Sequence, residues 1–337
     1  MTLIKSTNSL SSKPLQWPRQ LSTPSELVQA LRLRTKLRII RSPLCSKLVL
    51  QFIGSWAYLL ANVLNKSRVF NVEVFNRELA RVESKLKMLE SAEQDKRQLG
   101  SLDGKAPLLT LSNHISCIDD PILWATLLPL TYYSTHTESV RWSAAALEIC
   151  FSKPWHSTFF ALGKTFPIVR GDGLNQPAMD FMSALLRYNQ WLHLFPEGKV
   201  MRDDKQRVIS NRERGYVFKW GISELILNHF KTANDNKPIS SEKQIRILPF
   251  YHLGMDDILP IGWPYIPRFG KKITVYMRPS VIEMNRALLA NILGTRTLSN
   301  RCIKSRSNDD IKRIKLTEYL EEEVEKLIEP TTRLHNA

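Results

Sequence analysis

The chain has 337 residues, 43% of them hydrophobic, which suffices for one large or two small packed domains and excludes wholesale disorder. Its formal charge of +16 implies an anionic partner, whether nucleic acid, a membrane surface or a phosphorylated substrate. The four cysteines, Cys45, Cys117, Cys150 and Cys302, lie far apart, with no Cys-x-x-Cys pair and no His/Cys cluster at zinc spacing, so the thiols are expected reduced and no structural metal is expected.

Residues 1–47 carry Lys5, Lys13, Arg19, Arg32, Arg34, Lys36, Arg38, Arg41 and Lys47 against the single acid Glu26, with Ser and Thr among them. That is the composition of a mitochondrial targeting or membrane-facing leader, with generic basic disorder as the alternative; no apolar run follows Met1, so it is no secretory signal. Residues 48–66 follow as an apolar segment with Lys66 at its end. It is short for a spanning helix and contains Gln51, Ser55 and Asn62, so it reads as an interfacial or re-entrant helix with Trp56 and Tyr58 in the headgroup zone; a buried core helix is the alternative.

Val72-Glu-Val-Phe75 alternates like a strand, and Leu79, Val82, Leu86 and Leu89 recur at helical spacing after it. Residues 91–105 read as a loop. The strand Leu108 to Leu111 then delivers His114 to a helix whose first turn holds Asp119 and tolerates Pro121. Strand and helix alternate onward: Phe166-Pro-Ile-Val-Arg170, a helix over 176–188, a strand over 191–195, Ile245 to Phe250 and Ile273 to Tyr276. The rhythm is that of an α/β domain. Residues 202–214 and 231–243 are polar or charged and read as exposed insertions, and Ile311, Ile314, Leu320, Val324 and Leu327 mark a last helix from near Asn308 to before Pro330.

Four segments could carry chemistry. His114 and Asp119 have the types and the local reach for a general base and the acid that fixes its tautomer. Adjacent Asp120 is an alternative orienting acid. Gly163-Lys-Thr-Phe-Pro167-Ile-Val-Arg170 is a basic, glycine-containing turn able to approach a phosphate; it fails as a P-loop because residue 158 is Thr. Phe195-Pro-Glu197-Gly198 ends a strand in a sharp turn, with a surface salt bridge as the plain reading of Glu197. Ile247-Leu-Pro249-Phe250-Tyr-His252 reads mainly as a buried strand. No Gly-x-Ser-x-Gly elbow is present, and Cys117 is better read as a small buried side chain than as a nucleophile.

These four blocks, in this order, resemble the glycerolphosphate and lysophospholipid acyltransferase family, over residues 72–279. The resemblance implies one acyltransferase domain, over 69–285, with a mixed central sheet flanked by helices, an N-terminal membrane-associated helix and a helical extension over 286–337. Asn113-His-x-Ser-Cys-x-Asp-Asp-Pro121, Arg141-Trp142, Arg170-Gly-Asp-Gly173, His252-x-Gly-Met255 and Pro267-Arg-Phe-Gly270 resemble, more narrowly, its transacylase branch, which moves acyl chains between phospholipids. Glu148 stands where that branch has Asp, and the insertion at 202–214 is longer than usual.

By that resemblance His114 is the base and Asp119 orients it. Arg170 meets the phosphate, Glu197 and Gly198 the acceptor backbone, and Gly163, Phe195 and Pro249 complete the substrate blocks. The implied partners are phospholipids and lysophospholipids, among them cardiolipin, monolysocardiolipin and phosphatidylcholine, at a membrane surface. The implied place is the outer and inner mitochondrial membranes, facing the intermembrane space. No cofactor is expected, nor nucleic acid, for which no fold signature appears; a homo-oligomer stays open. The rivals are an acyl-CoA-dependent acyltransferase and a non-catalytic membrane scaffold.

Overall fold

The computed structural model describes residues 43–93, 106–201, 217–231, 243–260, 266–296 and 306–337; the leader up to residue 42 and most of the two polar insertions lie outside them. Helix α1, Pro43–Tyr58, runs on into a π-helical turn over Leu59–Val63. It starts at Pro43 rather than at residue 48 because proline fits a first helical turn, where its missing N–H has no partner to lose. Together the two pieces are long and apolar enough to cross a membrane by length and composition. Leu50, Gly54, Ala57, Leu60 and Ala61 face the protein. Leu44, Leu48, Phe52, Trp56, Leu59 and Val63 recur every three or four residues on the outer face, Phe52 at 68% exposure.

Strand β1, Lys66–Phe70, and helix α2, Val72–Glu93, come next. The alternation at 72–75 pointed to a strand, but those residues open α2, after a turn at Asn71 with φ 60°. Four alternating residues cannot separate strand from helix. The wider pattern can: Phe75, Leu79 and Val82 are buried at spacings of four and three. Glu78, buried among them, bonds Arg246 and Arg81.

The chain continues through β2 (Leu108–Ser112), α3 (Asp119–Leu127), β3 (Trp142–Ala146), α4 (Pro154–Leu162), β4 (Thr165–Ile168) and α5 (Pro177–Arg187). Then come β5 (Leu192–Leu194), α6 (Gly221–Phe230), β6 (Ile245–Leu253), β7 (Lys272–Met277), β8 (Ile282–Met284), α7 (Arg286–Thr295), α8 (Asn308–Glu325) and α9 (Ile328–Asn336). A helix beyond Pro330 was not expected from the sequence; Pro330 sits in the first turn of α9, where it breaks no ladder bond.

The described strands form one mixed sheet in the order β1-β7-β6-β2-β5-β3-β4, with β8 also on β6. β6, β2, β5, β3 and β4 are mutually parallel, while β7 and β8 run antiparallel to β6. Leu109, Leu111, Ile245 and Ile247 point to one face, under α5, α6, α7 and α8; Leu108, Leu248 and Phe250 point to the other, under α1, α2 and α3. Alternating residues thus feed two cores, as a sheet covered on both faces requires. The helices beyond residue 286 share the first core through Leu289, Ile292, Leu316 and Leu320.

From β2 the chain moves one way to β3, β4 and β5, and then returns to β6 on the other side. The carboxyl end of β2 is therefore a topological switch point, where an open α/β sheet leaves a crevice.

Candidate active site

His114 stands two residues beyond the end of β2, 19% exposed, and Asp119 is fully buried in the first turn of α3. His114 Nδ1 lies 2.8 Å from Asp119 Oδ2, and because a carboxylate only accepts, Nδ1 carries the proton. The backbone N–H groups of Ile115 and Ser116 donate to the same oxygen at 2.7 and 2.9 Å. The carboxylate is thereby fixed by its own loop, and it fixes the ring in turn, leaving Nε2 unprotonated as the basic atom. The His114 ring stacks on Phe195 with centroids 4.2 Å apart.

Asp120 turns away from the histidine, since consecutive helical residues point about 100° apart. It pairs with Arg141 and accepts from Ser143 Oγ at 2.7 Å and Trp124 Nε1 at 3.0 Å. Burial pushes its carboxyl up, but the Arg141 guanidinium and the neighbouring donors outweigh this and hold it below the ordinary carboxylate range. Asp120 therefore does not orient His114.

Glu197 is buried, and its Oε2 accepts the backbone N–H of His114 at 3.2 Å. It supports the histidine loop and is no solvated surface acid. Gly198 needs its glycine: φ is +72°, and an added Cβ would meet Lys219 Cγ at 3.1 Å. Lys219 N–H bonds Pro196 O at 2.7 Å, and Glu321 of α8 accepts the N–H groups of Val217 and Phe218, so the C-terminal helix braces this turn.

Arg170 lies just past the carboxyl end of β4, 43% exposed and 3.4 Å from Glu148. Cys117 and Cys150 flank the same rim. Burial and the Asp119 charge push the Cys117 thiol up, and burial pushes Cys150 to about 11, with Arg170 opposing both. Cys117 is exposed at the rim, not the small buried side chain that the sequence suggested, because the turn between β2 and α3 carries it outward; its raised thiol is still a poor nucleophile.

Gly163 is not brought to this rim. It ends α4 ahead of β4, at the opposite end of that strand from Arg170; its φ of −78° suits any residue, and its carbonyl accepts Arg141 Nη1 at 3.3 Å. Pro249 lies within the sheet, opposite Leu111. It falls between the stretch of β6 that pairs with β8 and the stretch that pairs with β7, where the absent N–H breaks no ladder bond.

Asn113 and His252 are the residues whose roles the sequence did not reveal. Asn113 Nδ2 donates to His252 O, and His252 N–H donates to Asn113 Oδ1, each at 2.9 Å. A side-chain amide thus extends the β2–β6 ladder by one step. The available signals were the Asn directly before His114 and a histidine near the end of an apolar strand.

The family described as Acyltransferase matches residues 81–252. Among curated proteins, the chain is 36% identical to a tafazzin of Drosophila melanogaster over 68% of its own length and 50% of the fly protein's. It is 31% identical to a taffazin of Dictyostelium discoideum, over 68% of this chain and 74% of that one. An N-acylphosphatidylethanolamine synthase of Arabidopsis thaliana is 32% identical, over 67% of each. Among solved structures, a 1-acyl-sn-glycerophosphate acyltransferase of Thermotoga maritima aligns at a TM-score of 0.42 and 14% identity, covering 88% of this chain and 87% of that one.

Proposed function

The chain belongs to the acyltransferase family, in its tafazzin-like branch, and on that premise we propose that it moves an acyl chain from a phospholipid to a lysophospholipid without coenzyme A, remodelling cardiolipin in mitochondrial membranes. The observation that carries the reading is the His114–Asp119 pair, with the protonated Nδ1 on the buried carboxylate and Nε2 free to act as base.

His114 Nε2 takes the proton of the lysophospholipid hydroxyl as that oxygen attacks the ester carbonyl of the donor lipid. Asp119 Oδ2 stabilises the imidazolium that forms. When the tetrahedral intermediate collapses, the donor's ester C–O bond breaks and its alkoxide takes the proton back from Nε2. No other co-reactant is consumed. Arg170 receives a lipid phosphate at the rim, and Glu197 and Gly198 hold the loop that bears the base. Gly163 and Pro249 serve the fold in this scheme. The protein lies on the outer and inner membranes facing the intermembrane space, with the apolar outer face of α1 in lipid and basic residues toward anionic headgroups.

The test is transfer of labelled acyl from phosphatidylcholine to lysocardiolipin in CoA-free vesicles. Wild type should transfer, and His114→Ala should lose about 10²- to 10⁴-fold. Strict dependence on acyl-CoA would favour the rival enzyme; a folded, vesicle-bound His114→Ala at full rate would favour the scaffold. Phosphatidylethanolamine belongs among the acceptors tried, because one relative is named for an N-acylated product of it.

A further inference from the structure

His252 is the next-to-last residue of β6, the strand beside β2, and its side chain is fully buried. Its Nε2 is 2.9 Å from the main-chain oxygen of Asn113, so Nε2 carries a proton and donates it. The same nitrogen is 3.8 Å from Asp119 Oδ2, on the carboxylate oxygen that receives His114. Burial pushes the imidazole below its ordinary value, the nearby Asp119 only partly opposing this, so the ring is neutral. The neutral form with its proton on Nε2 leaves Nδ1 bare, and Nδ1 has no partner among the described residues.

Three hydrogen bonds of 2.9 Å therefore join His252 to Asn113, the residue directly before the base. From the other side, Glu197 accepts the His114 N–H and the Met201 N–H donates to His114 O at 2.7 Å. The backbone of the base is clamped between β6 and the segment that follows β5.

Resting on the reading of His114 as base, we propose that His252 is a positioning residue: its Nε2–H holds the Asn113 carbonyl and lies against Asp119, setting the orientation of the His114 ring without touching substrate. The reason is geometric. A base misplaced by about 1 Å can lose on the order of 100-fold in rate. Ser112 Oγ also donates to the Asn113 carbonyl, at 3.1 Å, but it is the adjacent residue of the same segment; without the Nε2–H, the carbonyl preceding His114 loses its side-chain tie to β6, and only the amide-to-backbone pair still joins Asn113 to that strand.

Glutamine and asparagine variants separate the effects. The amide nitrogen of glutamine falls near the position of imidazole Nε2, whereas that of asparagine falls near Nδ1 and cannot reach the Asn113 carbonyl. His252→Gln should keep a rate close to wild type in the CoA-free transfer assay. His252→Asn should lose roughly 10- to 100-fold in kcat with KM little changed. In a His114→Ala background, His252→Asn should make no further difference, because it acts through the missing ring.

A readout independent of turnover is the proton resonance of His114 Nδ1–H in protein carrying isotope-labelled histidine. It should be sharp and downfield in wild type and His252→Gln, and broadened in His252→Asn. Equal rates and equal spectra for the two variants, or a loss confined to KM, would overturn the proposal. A His114→Ala protein at full rate would instead overturn the functional reading, while the resonance would still report on the positioning.

Discussion

At the scale of single residues, the rim separates groups that act on the reacting atoms from groups that hold lipid. Arg170 touches no part of the His114–Asp119 pair, and its ion-pair partner Glu148 is more than half exposed, so the guanidinium is available at little cost. Arg170→Ala should raise KM for the lysophospholipid by about 10-fold or more while kcat holds, as expected for loss of one charge-assisted hydrogen bond. Initial rates over a range of acceptor concentrations check this; an equal fall in kcat would put Arg170 in the chemistry. His114 and Asp119 were legible because their interaction is local, and five residues of chain bring them together. His252 was not, because its partner Asn113 lies 139 residues away and no local pattern encodes that distance. Asp120 was ambiguous for a related reason: only the tertiary arrival of Arg141 and Ser143 shows which way it points.

Among the elements, α1 is the one whose docking rests on a missing side chain. A Cβ at Gly54 would lie 2.3 Å from the Tyr133 ring, so the helix sits against that ring with no room to spare. In an open helix Gly→Ala stabilises by about 1 kcal/mol. At Gly54 the clash reverses the sign, and Gly54→Ala should destabilise by about 1–3 kcal/mol, read as a lower urea midpoint. A gain in stability would mean that α1 docks more loosely. Periodicity identified the long elements well, since α5, β5, β6 and β7 lie within a residue or a few of where the apolar pattern put them. It failed at Val72–Phe75, where a helix begins with a run too short to show its period. It also could not anticipate α9, whose start overlaps a proline.

For the molecule as a whole, two properties can be measured without substrate. The outer face of α1 presents an unbroken apolar row, and Trp155, at 64% exposure, adds to the uncovered apolar surface. If that row lies in lipid, as proposed, Phe52→Asp should weaken binding to anionic vesicles by about 10-fold or more, given roughly 1.5–3 kcal/mol for a buried aromatic side chain. Sedimentation with vesicles checks it, and unchanged binding would place the membrane contact elsewhere. The second property is acid sensitivity. Burial pushes the His193 imidazole, fully enclosed below the site, down to about 3. Its folded value lies below the unfolded one, near 6.5, so on acidification the unfolded chain takes up a proton that the folded chain refuses. Stability should fall from about pH 6.5 toward 3, with about 2 kcal/mol lost from this residue by pH 5. Urea titrations at pH 7 and pH 5 test it, and equal midpoints would contradict it.

The sheet order also says something about how such a chain comes into being. β1 pairs with β7, and Asn65 bonds Lys271, 206 residues further on. The crevice at the end of β2 borrows walls from β5 and β6, which are made much later than β2 itself. Contacts that span so much chain close slowly, because the entropy of the intervening loop is lost before any partner rewards it. During synthesis, the segment bearing His114 must therefore wait, its apolar strand unpaired on both sides, until most of the remaining polypeptide has emerged. That interval is when the nascent molecule is most exposed to aggregation, and when the help of a chaperone would matter most.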